Sequence, residues 1–184
     1  MTIEPDDKDW TWVLERRCGE CGFDATTVSG TELSGHLLAS AGAWVERLTV
    51  RDDARERPHP HTWSPLEYAC HVRDVHRIMT GRLHRMLDVD DPEFENWDQD
   101  ATAVQERYGE QDPEVVADEL ETAAGALAGH VNALRPEQLS RTGRRSDGSE
   151  FTVVTLLQYF LHDVVHHLWD VTGQQDAAAS LALE

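Results

Sequence analysis

Ten histidines stand in this chain of 184 residues, and the most telling run is His162-Asp-Val-Val-His166-His167-Leu-Trp-Asp170. His162 and His166 are four apart, so on a helix both rings leave one face. Such a pair can offer two imidazole nitrogens to one metal ion. His71 falls within the apolar arc of an earlier predicted helix, beside Val75 and Ile78, and an imidazole turned inward needs a partner. If His71 faces the His162/His166 pair, the three form a metal site with one position open to water or substrate, the layout of a catalytic centre. The same residues have plainer readings as a hydrogen-bonded core histidine and a surface pair. His167 lies about 100° round the helix from His166, among apolar residues, and reads as structural. His59 and His61, in a loop, and His76, off the centre of its helix's core face, are reserve ligands, while His36, His84 and His130 carry no signal.

A second group is Cys18-Gly-Glu-Cys21-Gly22, which has the form of half a zinc knuckle. A closed structural site takes four ligands. No second such pair exists, so Cys70 and a histidine would have to complete it. A redox role for Cys18 and Cys21 is the other option, but the βαβ pattern around a thioredoxin-like pair is missing. Two reduced thiols in an ordered arm are the plain alternative.

The elements that must position these groups are helices. Residues 1–30 read as an irregular arm in which Trp10, Trp12 and Phe23 need something to pack on. Ser29-Gly-Thr-Glu32 has capping-box spacing before Leu33, Leu37, Leu38, Ala41, Trp44, Val45 and Leu48, which predicts a first helix over about 31–50. Ser64-Pro-Leu-Glu67 opens a second at about 65–88. The stretch 88–112 is acidic and mostly loop, with a short helix near 99–107. Asp112-Pro113 opens a third long helix that ends before Pro136, and Ser146-Asp-Gly-Ser149 marks a turn that suits a small hairpin. The last helix runs over 152–172 and stops at Gly173. Apolar residues cover more than half of its circumference, leaving a strip of Thr155, Tyr159, His162, His166 and Asp170. The fold class is therefore all-α: a four-helix bundle over 31–184, one domain, behind the arm of 1–30.

Composition excludes several functions. Thirty-five acidic residues against sixteen Lys and Arg give a net charge of −19, which repels phosphate backbones and argues against nucleic acid. No apolar run is long enough to span a membrane, and Met1 to Asp9 carries no signal-peptide pattern. Three cysteines do not make a secreted disulfide framework. The expectation is a cytoplasmic protein.

Several motifs in order along the chain resemble the DinB/YfiT-like superfamily. They are Trp63-Ser-Pro-Leu-Glu67 followed by His71, then His162-x-x-x-His166, closing on Gly173-Gln174. The opening Asp9-Trp-Thr-Trp-Val-Leu-Glu-Arg, Asn96-Trp-Asp-Gln-Asp100, and the run from Arg145-Ser-Asp-Gly-Ser149 into Leu161–Asp170 are similar to a subgroup. The resemblance implies a four-helix bundle, often a homodimer, with a three-histidine site matching His71, His162 and His166 and holding zinc or nickel. It also implies transfer of a low-molecular-weight thiol of the mycothiol or bacillithiol type to an electrophile. A non-catalytic metal-binding or stress-related dimer is the alternative. Glu67, Asp163 and Asp170 are candidates to orient the ligands through their second ring nitrogens. Tyr159, Asp98 and Arg145 are candidates to bind substrate.

Overall fold

The computed structural model describes residues 9–175; the first eight residues of the expected arm and the last nine of the expected bundle lie outside that range. Four long helices form the body: α1 (Leu33–Thr49), α2 (Pro65–Asp88), α4 (Pro113–Asn132) and α5 (Val153–Thr172). A short α3 (Gln99–Gln105) lies between α2 and α4. Both α1 and α2 pack against α4 and against α5. The arm, irregular as expected, contains two short 3-10 turns, Thr11–Leu14 and Ala25–Thr27, and packs on α5.

Local chemistry explains the boundaries. Ser64 and Glu67 form a reciprocal capping box at the start of α2, with Pro65 just inside it. Asp112 accepts from the Glu114 and Val115 amides and Pro113 follows, so α4 begins where expected. Thr152 and Thr155 cap α5, and Gly173 ends it with φ +65°. At α1 only half of the expected box forms. The Glu32 side chain turns back to accept from the Ser29 amide at 3.0 Å, but Glu32 itself provides no side-chain cap and the helix starts at Leu33.

The expected hairpin is part of a larger sheet. Strands β2 (Thr142–Arg145) and β3 (Glu150–Thr152) pair antiparallel, and β1 (Glu93–Phe94) adds to β2 in parallel. The stretch 88–112, read as loop and short helix, thus also supplies a strand; two residues are too few to display an alternating pattern. Gly143 is needed where β1 and β2 meet, because a Cβ there would lie 2.6 Å from the Phe94 ring.

The core runs between the long helices through Leu37, Trp44, Leu66, Leu120, Leu127 and Phe160. Trp44 also donates its indole N–H to the Val164 carbonyl at 3.1 Å, which helps fix the rotation of α5 about its axis. Among the described residues, no helix is long and apolar enough to cross a membrane.

Candidate metal centre

The structure divides the three expected histidines between two clusters. His71 on α2 meets Asp163 and His167 on α5, with one donor atom from each within 4.8 Å of the others. His162 and His166 instead meet Cys18 and Cys21 of the arm within the same span. His71, His162 and His166 do not form a group of this kind among the described residues. His167, read as structural, and Asp163, read as orienting a ligand, are the two residues of α5 that lie beside His71.

The geometry around His71 is that of long histidine–carboxylate contacts, and it also suits a metal. His71 Nε2 lies 3.4 Å from Asp163 Oδ2, and His167 Nε2 lies 3.4 Å from Asp163 Oδ1. Both separations exceed the usual N–H···O range of about 2.7–3.2 Å. Bonds of about 2.0–2.2 Å at tetrahedral angles put neighbouring donors about 3.3–3.6 Å apart. His71 Nδ1 is buried without a hydrogen-bond partner, and a metal on Nε2 would leave it so. Two imidazoles and a carboxylate are a donor set suited to a divalent transition metal.

Neighbouring side chains hold these donors. Asp170 Oδ2 lies 3.0 Å from His167 Nδ1, the carboxylate–imidazole contact that fixes which ring nitrogen faces the site. Tyr68 stacks on His167 with ring centres 4.5 Å apart, and Trp97 stacks on His71 at 5.3 Å. Burial lowers the pKa of His71, which favours the neutral ring that a ligand must be. Burial also opposes charge on His167, but Asp163 and Asp170 outweigh it and raise its pKa to about 10, so without a metal this ring is a protonated partner of the two carboxylates, and a metal would have to displace its proton. Burial would raise Asp163, yet His167 and His71 pull it well below the ordinary carboxylate range. The Asp163 side chain stays 34% exposed while His71 is 2% exposed, so this cluster has a side open to solvent.

The second cluster is closed. Cys18, Cys21, His162 and His166 are all 7% exposed or less. Cys18 Sγ lies 3.7 Å from His166 Nδ1, and His162 Nε2 is buried without a hydrogen-bond partner. Burial, and then the neighbouring Cys18, raise the Cys21 thiol, which disfavours its thiolate while no metal is bound. The aromatic residues of the arm find their partner here: the Trp10 ring lies 4.8 Å from His166 and 5.4 Å from His162.

The other expected residues have varied surroundings. Glu67 accepts from the Ser64 amide and from Arg57, so its contacts run to the cap and away from His71. Asp98 caps α3 through the Ala101 amide, next to Trp97. Arg145 donates to the Tyr159 hydroxyl at 3.4 Å and pairs with Asp147 at 3.0 Å. Tyr159 lies one turn before Asp163, whose charge, after burial, raises its pKa. Cys70, offered as a fourth ligand beside Cys18 and Cys21, is buried elsewhere against the Tyr108 carbonyl. His76 is a core residue with Nδ1 2.8 Å from the Val72 carbonyl.

The described residues thus form a helical bundle with a histidine–carboxylate cluster between two of its long helices. The model of the DinB superfamily matches residues 32–171, and the chain belongs to that superfamily. Among solved structures it is similar to YfiT from Bacillus subtilis, described as a probable metal-dependent hydrolase with an unusual four-helix bundle topology. The likeness has a TM-score of 0.69 at 15% identity, over 97% of this chain and 94% of that one, and establishes the fold. A search of curated proteins by sequence finds no match.

Proposed function

We propose that this protein is a metal-dependent enzyme that uses His71, Asp163 and His167 to hold a divalent metal, zinc or nickel, and transfers a low-molecular-weight thiol to an electrophile. The observation that carries the reading is the convergence of three donors from α2 and α5, two of their separations being 3.4 Å, on a side that Asp163 leaves part-exposed. A metal in an open site supplies Lewis acidity, which lowers the pKa of a thiol or water bound to it. The chain's residues do the rest. Asp170 holds His167 in one tautomer and orientation. Trp97 stacks on one face of His71 and Trp63 packs against the ring at a tilt, which helps keep water from its unpartnered nitrogen. Arg145, with Tyr159 one turn from Asp163, supplies a cation for a carboxylate-bearing thiol or electrophile.

Hydrolysis at the same site is the second reading. Two imidazoles with one carboxylate are the donor set of open hydrolytic zinc sites, and YfiT is described as a probable hydrolase. The test loads the purified full chain with zinc or nickel. It measures thiol loss with an activated aryl halide, and ester and amide cleavage without thiol. Thiol-dependent turnover that falls about 100-fold or more in His71→Ala supports transfer. Turnover of esters or amides without thiol, equally lost in His71→Ala, replaces it with hydrolysis. Activity unchanged in His71→Ala and Asp163→Asn overturns both.

A further inference from the structure

We infer that Cys18, Cys21, His162 and His166 form a second, closed site for a thiophilic divalent metal such as zinc, which fastens the arm to α5. The inference does not depend on the function proposed above. Both cysteines lie outside the stretch matched by the superfamily model, residues 32–171, while His162 and His166 lie within it.

The geometry is that of a tetrahedral centre with two sulfurs and two nitrogens. All four donor atoms fall within 4.8 Å of one another. Metal–sulfur bonds of about 2.3 Å and metal–nitrogen bonds of about 2.0–2.1 Å put a sulfur and a nitrogen about 3.5–3.6 Å apart at a tetrahedral angle. Cys18 Sγ and His166 Nδ1 are 3.7 Å apart. An independent sign is His162, a 3% exposed residue whose Nε2 is buried with no hydrogen-bond partner. Burying that imidazole without satisfying it is costly, and a metal bond to the ring is one way to recover the cost.

The loop that carries the cysteines is built to stay in place. The Gly22 amide donates to the Cys18 carbonyl at 3.1 Å, the Cys18 amide to the Phe23 carbonyl at 2.9 Å, and Gly22 sits at φ +78°. Gln175, just beyond α5, donates to the Gly19 and Glu20 carbonyls at 3.1 and 2.8 Å. An apolar layer that includes Val165 and Trp169 surrounds the thiols. Four protein donors, all buried, leave no position for substrate, so the site is structural. Sulfur with imidazole selects zinc over magnesium or calcium.

The test uses the full chain, reduced and loaded with cobalt(II). The wild type should show thiolate-to-cobalt charge-transfer absorption, lost in Cys18→Ser/Cys21→Ser and in His162→Ala. His71→Ala should keep it, which separates this site from the other cluster. On zinc-loaded wild type, a chelator should raise alkylation of Cys18 and Cys21 about tenfold or more, a readout that holds even if a variant fails to fold. No charge-transfer absorption in the wild type, alkylation indifferent to the chelator, or a Cys18–Cys21 disulfide in freshly purified, thiol-blocked protein would each overturn the inference.

Discussion

His162 and His166 leave α5 on one side, and Asp163 and His167 leave it about 100° further round. The first pair meets two cysteines from the arm in a layer of apolar side chains, with every member 7% exposed or less. The second pair meets His71 from α2 in a cluster whose carboxylate is 34% exposed. One residue of register on one helix thus separates a sealed four-donor cluster from a three-donor cluster with an open side. A sealed set of donors can only hold its neighbours together. An open one can also present a bound group to a substrate, and on that difference the two sites are assigned different work.

The largest expected effect breaks the comparison in both directions. On the proposed function, His71→Ala should lower turnover of the metal-loaded protein by about 100-fold or more while leaving the arm protected from protease. Cys18→Ser/Cys21→Ser should do the reverse: the arm becomes cleavable between Arg16 and Phe23, and turnover falls by no more than about tenfold. Activity assays beside limited proteolysis of both variants check this. If the cysteine variant loses as much activity as His71→Ala, the division of labour is wrong.

The two i, i+4 pairs also mark what the sequence could and could not convey. The spacing of His162 and His166, the caps at Ser64, Asp112 and Thr152, and the stop at Gly173 are local facts, and local facts carried the helices. Which of the two pairs turns toward α2 depends on the rotation of α5 within the bundle. That rotation is set by long-range contacts such as Trp44 to Val164. The apolar residues of α5 cover too much of its circumference to choose a side. His71 was visible because it lies within an apolar arc. His167 does not stand out because it lies among apolar residues as well, and Asp163 four residues before it is the local mark of a second pair.

His76 sharpens the contrast as a buried histidine with no cluster around it. Burial lowers its pKa to about 4 from an ordinary value of 6.5. The unfolded chain therefore takes up a proton between about pH 6.5 and 4 that the folded chain refuses, and stability falls as pH drops through that window. The penalty reaches about 3 kcal/mol at the lower end. His76→Leu should flatten that part of the stability profile, measured by denaturant unfolding at a series of pH values. An unchanged slope would mean that other groups dominate the acid side.

A smaller effect is expected at Asp170, a carboxylate that lies near both clusters. It lies 3.0 Å from His167 Nδ1 but 3.8 Å from His166 Nε2, so it orients only the first. Asp170→Asn should weaken metal binding at His71, Asp163 and His167 by about 10–100-fold and leave the thiolate–cobalt absorption in place. Competition titration against a chromogenic chelator, followed beside the cobalt spectrum, reads both sites in one sample. Equal losses would show that Asp170 couples them.

The smallest effect concerns Glu67, one turn before His71 and for that reason expected to orient it. Burial would raise its carboxyl, but Arg57 and the Ser64 backbone and hydroxyl hold it below the ordinary value of 4.5. Its contacts thus belong to the start of α2. Glu67→Ala removes half of the capping box and should cost about 1–2 kcal/mol of stability. Glu67→Gln, which can still cap, should cost less. Because the folded pKa is the lower one, the wild type's advantage is present above about pH 4.5 and disappears as pH falls through the folded value. Metal affinity at His71 should shift by less than about twofold in either variant. A tenfold loss in Glu67→Ala would instead mean that the carboxylate reaches His71 in the metal-bound state, and that the start of α2 belongs to the open site rather than only to the helix.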